Sequence, residues 1–115
     1  MTEVTRIEKL KRTSMVSIHD GVAHVAGMCG NPGESIQEQT RVALAKVDKW
    51  LAAAGTDKSK ILRATVWVAD RSHFAPMNEV WEEWVDAENP PSRAAGVVPP
   101  AAEGYDVEII VTAAI

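Results

Sequence analysis

Two helices must cover a sheet of five strands, and that imbalance narrows what this chain can become. Apolar and small residues recur at helical spacing along Ile36, Thr40, Ala43, Leu44, Val47 and Leu51, as far as Ala54. Ser35 supplies an N-cap with Glu38 three positions on, the pattern of a capping box, and Gly55 stops the helix. A second stripe, Phe74, Met77, Val80, Trp81, Trp84 and Val85, is opened by Asp70 or Ser72 and ended by Asn89-Pro90-Pro91. The remaining patterns are extended. Residues 15–19 and 22–27 read as a hairpin through Asp20-Gly21, a turn that accepts positive φ. The β-branched run 61–69 reads as a central strand, 94–98 as a short strand and 106–114 as the last one. Segments 27–33 and 99–105 read as loops. The order is β-β-α-β-α-β-β, an α+β mixed sheet with both helices on one face.

Alternation then sorts the faces. In the last strand Val107, Ile109, Val111 and Ala113 point one way, and Glu108, Ile110, Thr112 and Ala114 the other. In the central strand Leu62, Ala64, Val66 and Val68 suit the helices, which leaves Arg63, Thr65 and Trp67 opposite. In the hairpin Val16 and Ile18 alternate with Met15, Ser17 and His19. The second face is a mixed patch that two helices cannot cover, so it predicts self-association with Glu108 near the interface.

Composition excludes several function classes. A chain of 115 residues fits one domain spanning 1–115. Its net charge is −4 and its basic residues are scattered, which argues against nucleic acid as the main partner. No apolar run approaches the roughly 18 residues a membrane span needs, and the polar start of the chain is unlike a signal peptide. The single cysteine, Cys29, forms no internal disulfide and fits a reducing cytoplasm. With Cys29, His19, His24 and His73 at no ligand spacing, a metal site is not expected.

Two charges carry the chemical information. Arg93 follows Pro90-Pro91-Ser92 and precedes Ala94-Ala95, and Glu108 sits within the apolar terminal strand. Folding alone gains little from a charge at either place. A guanidinium offers a planar fork of donors to a carboxylate, and a carboxylate in an apolar strand can hold or deprotonate water. The pair points to a site for a small anionic metabolite, and the plain alternative is a structural ion pair or two solvated charges. Cys29 reads either as a reactive thiol lining a cleft or as a small buried side chain, and no histidine and aspartate pattern is visible to activate it. Trp67 reads as an interface or core residue, with stacking on a planar substrate as the alternative.

In combination these segments resemble the Rid family, also called YjgF/YER057c/UK114. The resemblance runs from Val25-Ala26-Gly27 through the strand 61–69 with Asp70, then Phe74-Ala75-Pro76-Met77-Asn78, Pro91-Ser92-Arg93 and Val107-Glu108-Ile109. It implies a chorismate-mutase-like fold and a homotrimer with clefts between subunits. It also implies cofactor-independent hydrolysis of 2-imino or enamine acids to 2-keto acids and ammonia. In that frame Arg93 grips the substrate carboxylate and Glu108 orients or activates water.

Some neighbours depart from the family pattern. Ala95 stands where the type-member deaminases usually have cysteine or serine, and Met28-Cys29 where relatives often carry glutamine. Thr13 and Ser14 fall where a tyrosine is expected, and Tyr105 is the candidate to replace that aromatic. These changes leave open a second function, a non-catalytic protein binding small carboxylates such as keto acids. Ribonuclease or translation-inhibitor activity, an old label on some relatives, runs against the acidic charge balance.

Overall fold

A computed structural model describes residues 3–115. Its strands are β1 (Thr5–Lys9), β2 (Ser14–His19), β3 (Val22–Val25), β4 (Met28–Cys29), β5 (Ile61–Val68), β6 (Ser92–Val97) and β7 (Val107–Ala114). Its helices are α1 (Ile36–Ala53) and α2 (Phe74–Trp84). The strands form one sheet in the order β1-β2-β3-β7-β5-β6, and β4 also pairs with β7. Only β5 and β6 run parallel, so the sheet is mixed as expected. Among the described residues no helix is long and apolar enough to cross a membrane.

Most of the anticipated elements form where their local signals lie. Asp20 and Gly21 adopt φ of 48° and 75°, which closes the hairpin between β2 and β3. Ser35 caps α1 by accepting from Glu38 N at 3.1 Å. The capping box is only half made, because Glu38 turns its carboxylate to Arg41, 3.6 Å away. Gly55 takes φ 84° after the helix, and Thr56 N donates to Leu51 O.

The core lies between the sheet and the two helices. Leu44, Val47 and Leu51 of α1 and Met77 of α2 are fully buried with Val66, Val107, Ile109 and Val111. Each large side chain removed from water there contributes about 1.5–3 kcal/mol. The helices are also tied to each other, and α2 to the turn before β5, by polar contacts. Trp84 Nε1 donates to Asp48 Oδ2 at 2.9 Å, and Lys58 Nζ donates to Trp84 O at 2.6 Å. The second bond satisfies a terminal carbonyl of α2 with a cation, which suits the negative end of the helix.

Several boundaries differ from expectation. Strands β1 and β4 were not anticipated: β1 is an exposed edge strand without alternation, and β4 is two residues inside a glycine-rich segment. Both exist because a neighbouring strand offers unpaired backbone groups. Leu62 points outward and is 50% exposed, because a register shift between Ile61 and Arg63 puts Ile61 into the core instead. Ala64, Val66 and Val68 face inward as expected.

Asp70 caps a single 3₁₀ turn, Arg71–His73, rather than α2 itself. The prolines at 90 and 91 do not end α2 either. It stops at Trp84, where Val85 turns extended, and Asp86 Oδ1 then accepts from Glu88 N, holding a turn that competes with helix. Strand β6 begins at Ser92, two residues early, because its pairing with β5 starts there.

Candidate functional site

Glu108 sits on β7 with Cys29 of β4 on one side and Trp67 of β5 on the other. Its neighbours Val107 and Ile109 are buried toward the helices, so its own side chain leaves the opposite face. There it occupies space that exists because residue 27 is glycine. A Cβ at Gly27 would lie 2.9 Å from Glu108 Cδ and closer still to Oε2. The chain can therefore bend between β3 and β4 directly over the carboxylate.

The cavity around this carboxylate has a volume of about 570 Å³. Cys29, Tyr105 and Glu108 line it together with Lys46 and Lys49 of α1. Lys46 Nζ donates to Cys29 O at 2.8 Å, and Lys49 Nζ lies 4.8 Å from the centre of the Trp50 ring. The half-buried Cys29 thiol is pushed up to about 11, first by burial and then by the Glu108 charge, with Lys46 pulling partly the other way. At neutral pH it is a neutral wall group rather than a nucleophile.

One wall is fixed by a buried amide. Gln39 is fully buried, and its Nε2 donates to Glu34 O at 2.9 Å and to Asp106 Oδ2 at 3.0 Å. Asp106 N donates to Gln39 Oε1 at 2.8 Å. These bonds pin the start of β7, two residues before Glu108, against the first turn of α1. Gly30 allows the approach, since a Cβ there would stand 2.6 Å from Gln39 Cα. Sequence reasoning passed over Gln39 and both lysines. Gln39 was legible only as a polar residue on the buried side of α1, and the lysines looked like ordinary exposed helix residues.

Arg93 lies elsewhere. It is exposed on β6, and its register partner Ala64 is a buried residue of the helix-facing side. The guanidinium turns back to α2, where Nη1 donates to Asn78 Oδ1 at 2.9 Å and Cζ stands 5.1 Å from the centre of the Trp81 ring. Ala95 shares that side of β6, opposite Val66. Of the five residues singled out from sequence, then, one cavity gathers Cys29, Tyr105 and Glu108. Arg93 and Ala95 sit on the other side of the sheet, beyond β5. Among the described residues no group of three His, Cys, Asp or Glu side chains is placed to hold a metal ion.

Fold and cavity together define an α+β protein of the chorismate-mutase-like class, with an acidic side chain in a metabolite-sized recess. The chain belongs to the family described as Endoribonuclease L-PSP, whose model matches residues 4–115, and which includes the RutC and YjgF proteins. It is 42% identical over 113 residues to a RutC family protein of Haemophilus ducreyi, covering 97% of each chain. It superimposes on a crystal structure of a YjgF family member from Neisseria meningitidis with a TM-score of 0.95 at 34% identity, covering 98% of this chain and 95% of the other. A more distant relative, 32% identical over 98 residues, is the 2-iminobutanoate/2-iminopropanoate deaminase of Bos taurus; the match covers 85% of this chain and 69% of that one.

Proposed function

We propose that the protein hydrolyses small 2-imino or enamine acids to 2-keto acids and ammonia, without a cofactor, in clefts between the subunits of a homotrimer. The observation that carries this reading is the Glu108 carboxylate seated under Gly27 in a cavity, together with a guanidinium already oriented by Asn78 and Trp81. Within one chain the two groups leave opposite faces of the sheet, so a site using both takes Arg93 from one protomer and Glu108 from its partner. The exposed edge strand β6 and the helix-free sheet face carrying Trp67 and Ile110 supply surfaces for such an assembly.

In this site Arg93 grips the substrate carboxylate through its fork and fixes the imine carbon. Glu108 accepts a proton from water as the water oxygen bonds to that carbon. That proton passes to the nitrogen to give a carbinolamine. Glu108 then takes the hydroxyl proton and hands it to the same nitrogen, the carbon–nitrogen bond breaks, and ammonia leaves as the carbonyl forms. The imine is already electrophilic, so position and one base are sufficient chemistry. The activity of the bovine relative supports the reaction class.

The test is hydrolysis of 2-imino acids released in place by an amino-acid oxidase, comparing wild type with Arg93→Ala. Faster decay with wild type alone is expected, and equal rates would remove the proposal.

A second reading, a non-catalytic carboxylate-binding protein, is favoured by Ala95 at the position usually occupied by cysteine or serine. Ligand-dependent thermal stabilisation without turnover distinguishes it. The net charge of −4 argues against a ribonuclease reading.

A further inference from the structure

We propose that Lys46 and Lys49 form a second anion subsite in the Glu108 cavity, selecting 2-imino acids that carry a second carboxylate. This rests on the imine-hydrolysis reading and names its substrate class. Among the described residues, Glu108 is the one acidic residue lining the cavity and the two lysines are its cationic ones, so two positive charges face one negative. That balance runs against a chain whose net charge is −4.

Both lysines line the recess from exposed positions on α1. They are three apart on α1 and so share a face. Lys46 spends one N–H on Cys29 O, which leaves two donors for a ligand. Lys49 is steadied over the Trp50 ring. The Cys29 thiol, paired beside Glu108, is raised first by burial and then by the Glu108 charge, and is lowered by Lys46.

Size agrees with charge. A recess of about 570 Å³ lies in the range that takes ligands well beyond a three-carbon acid. With the 2-carboxylate on Arg93 and the imine carbon beside the water held by Glu108, a side-chain carboxylate would meet the two ammonium groups. The chemistry at the imine carbon is unchanged: water adds, ammonia leaves and a 2-keto diacid is the product. Reactions that supply this substrate are oxidations of acidic amino acids, or eliminations of a leaving group from the β-carbon of a substituted one.

The test compares iminosuccinate, released from aspartate by an aspartate oxidase, with 2-iminopropanoate released from alanine. The wild-type kcat/KM ratio should favour the diacid by about tenfold or more, and Lys46→Met and Lys49→Met should each lower that ratio several-fold. Both variants keep the side-chain stem and lie at exposed positions, so folding is spared. Turnover of both imines with a ratio near one that neither variant moves would overturn the subsite and leave the imine reading standing. If neither imine is hydrolysed, the reading beneath fails, and calorimetry with 2-oxoglutarate against 2-oxobutanoate decides the subsite. Lysine-dependent preference for the diacid keeps it, and equal or absent diacid binding ends it.

Discussion

Gly27 and Glu108 share one small volume: the hydrogen at residue 27 stands where any Cβ would press on the Glu108 carboxylate. The backbone of Gly27 is not in the left-handed region, so alanine there is conformationally allowed. The glycine serves the carboxylate and not the turn. Gly27→Ala should therefore leave stability within about 1 kcal/mol of wild type while rotating Glu108 away from its present seat. A crystal structure of the variant should show the rotated side chain, and imine hydrolysis should fall by roughly tenfold or more. An unmoved Glu108 would refute this account of the glycine.

Arg93 should not tolerate lysine. Lysine keeps the charge but loses the planar fork, the bond to Asn78 and the stacking on Trp81. Arg93→Lys and Arg93→Ala should both weaken binding of 2-oxobutanoate, alanine by about 2–5 kcal/mol. Isothermal calorimetry reads this directly. Wild-type affinity in Arg93→Lys would show that charge alone suffices.

Gln39 should matter for stability more than any surface charge. Its amide makes three hydrogen bonds while fully buried. Gln39→Leu fills much of the same volume but strands Asp106 N and a carboxylate oxygen. A loss of about 2–4 kcal/mol in denaturant unfolding is expected, and a neutral result would mean water replaces the amide.

The Cys29 thiol gives a pH dependence. Its folded pKa is raised from an ordinary 9.0 to about 11, so the folded state keeps the proton where the unfolded chain releases it. Its contribution to stability is complete below about pH 9 and declines as pH rises toward 11. Unfolding of wild type and Cys29→Ala across that window should converge as pH increases. Thiolate absorbance near 240 nm should show a midpoint near 11, and one at or below 9.0 would contradict the buried setting.

Local signals in the chain were sufficient to expect two helices, the hairpin and strands β5, β6 and β7, though not every boundary. Helix α1 carries its cap at Ser35, its stripe and its stop at Gly55 within one short window. Alternation also set the faces of β7 correctly, burying Val107, Ile109 and Val111 and turning Glu108 outward. These are properties of neighbours in sequence, which backbone geometry converts into direction without any help from the rest of the molecule. Local pattern also pointed to Cys29 and Glu108, and the family resemblance to Tyr105; one cavity brings the three together.

Tertiary structure alone decided what depends on a distant partner. β1 and β4 exist only because another strand offers a ladder, and Leu62 faces out because a bulge against β7 shifts the register. Gln39 and the two lysines gain their roles from chain segments far from them in sequence or across a bend. The separation of Arg93 from Glu108 is likewise a matter of strand order. β5 lies between their strands, and pairing register, which sequence spacing does not encode, sends their side chains to opposite faces.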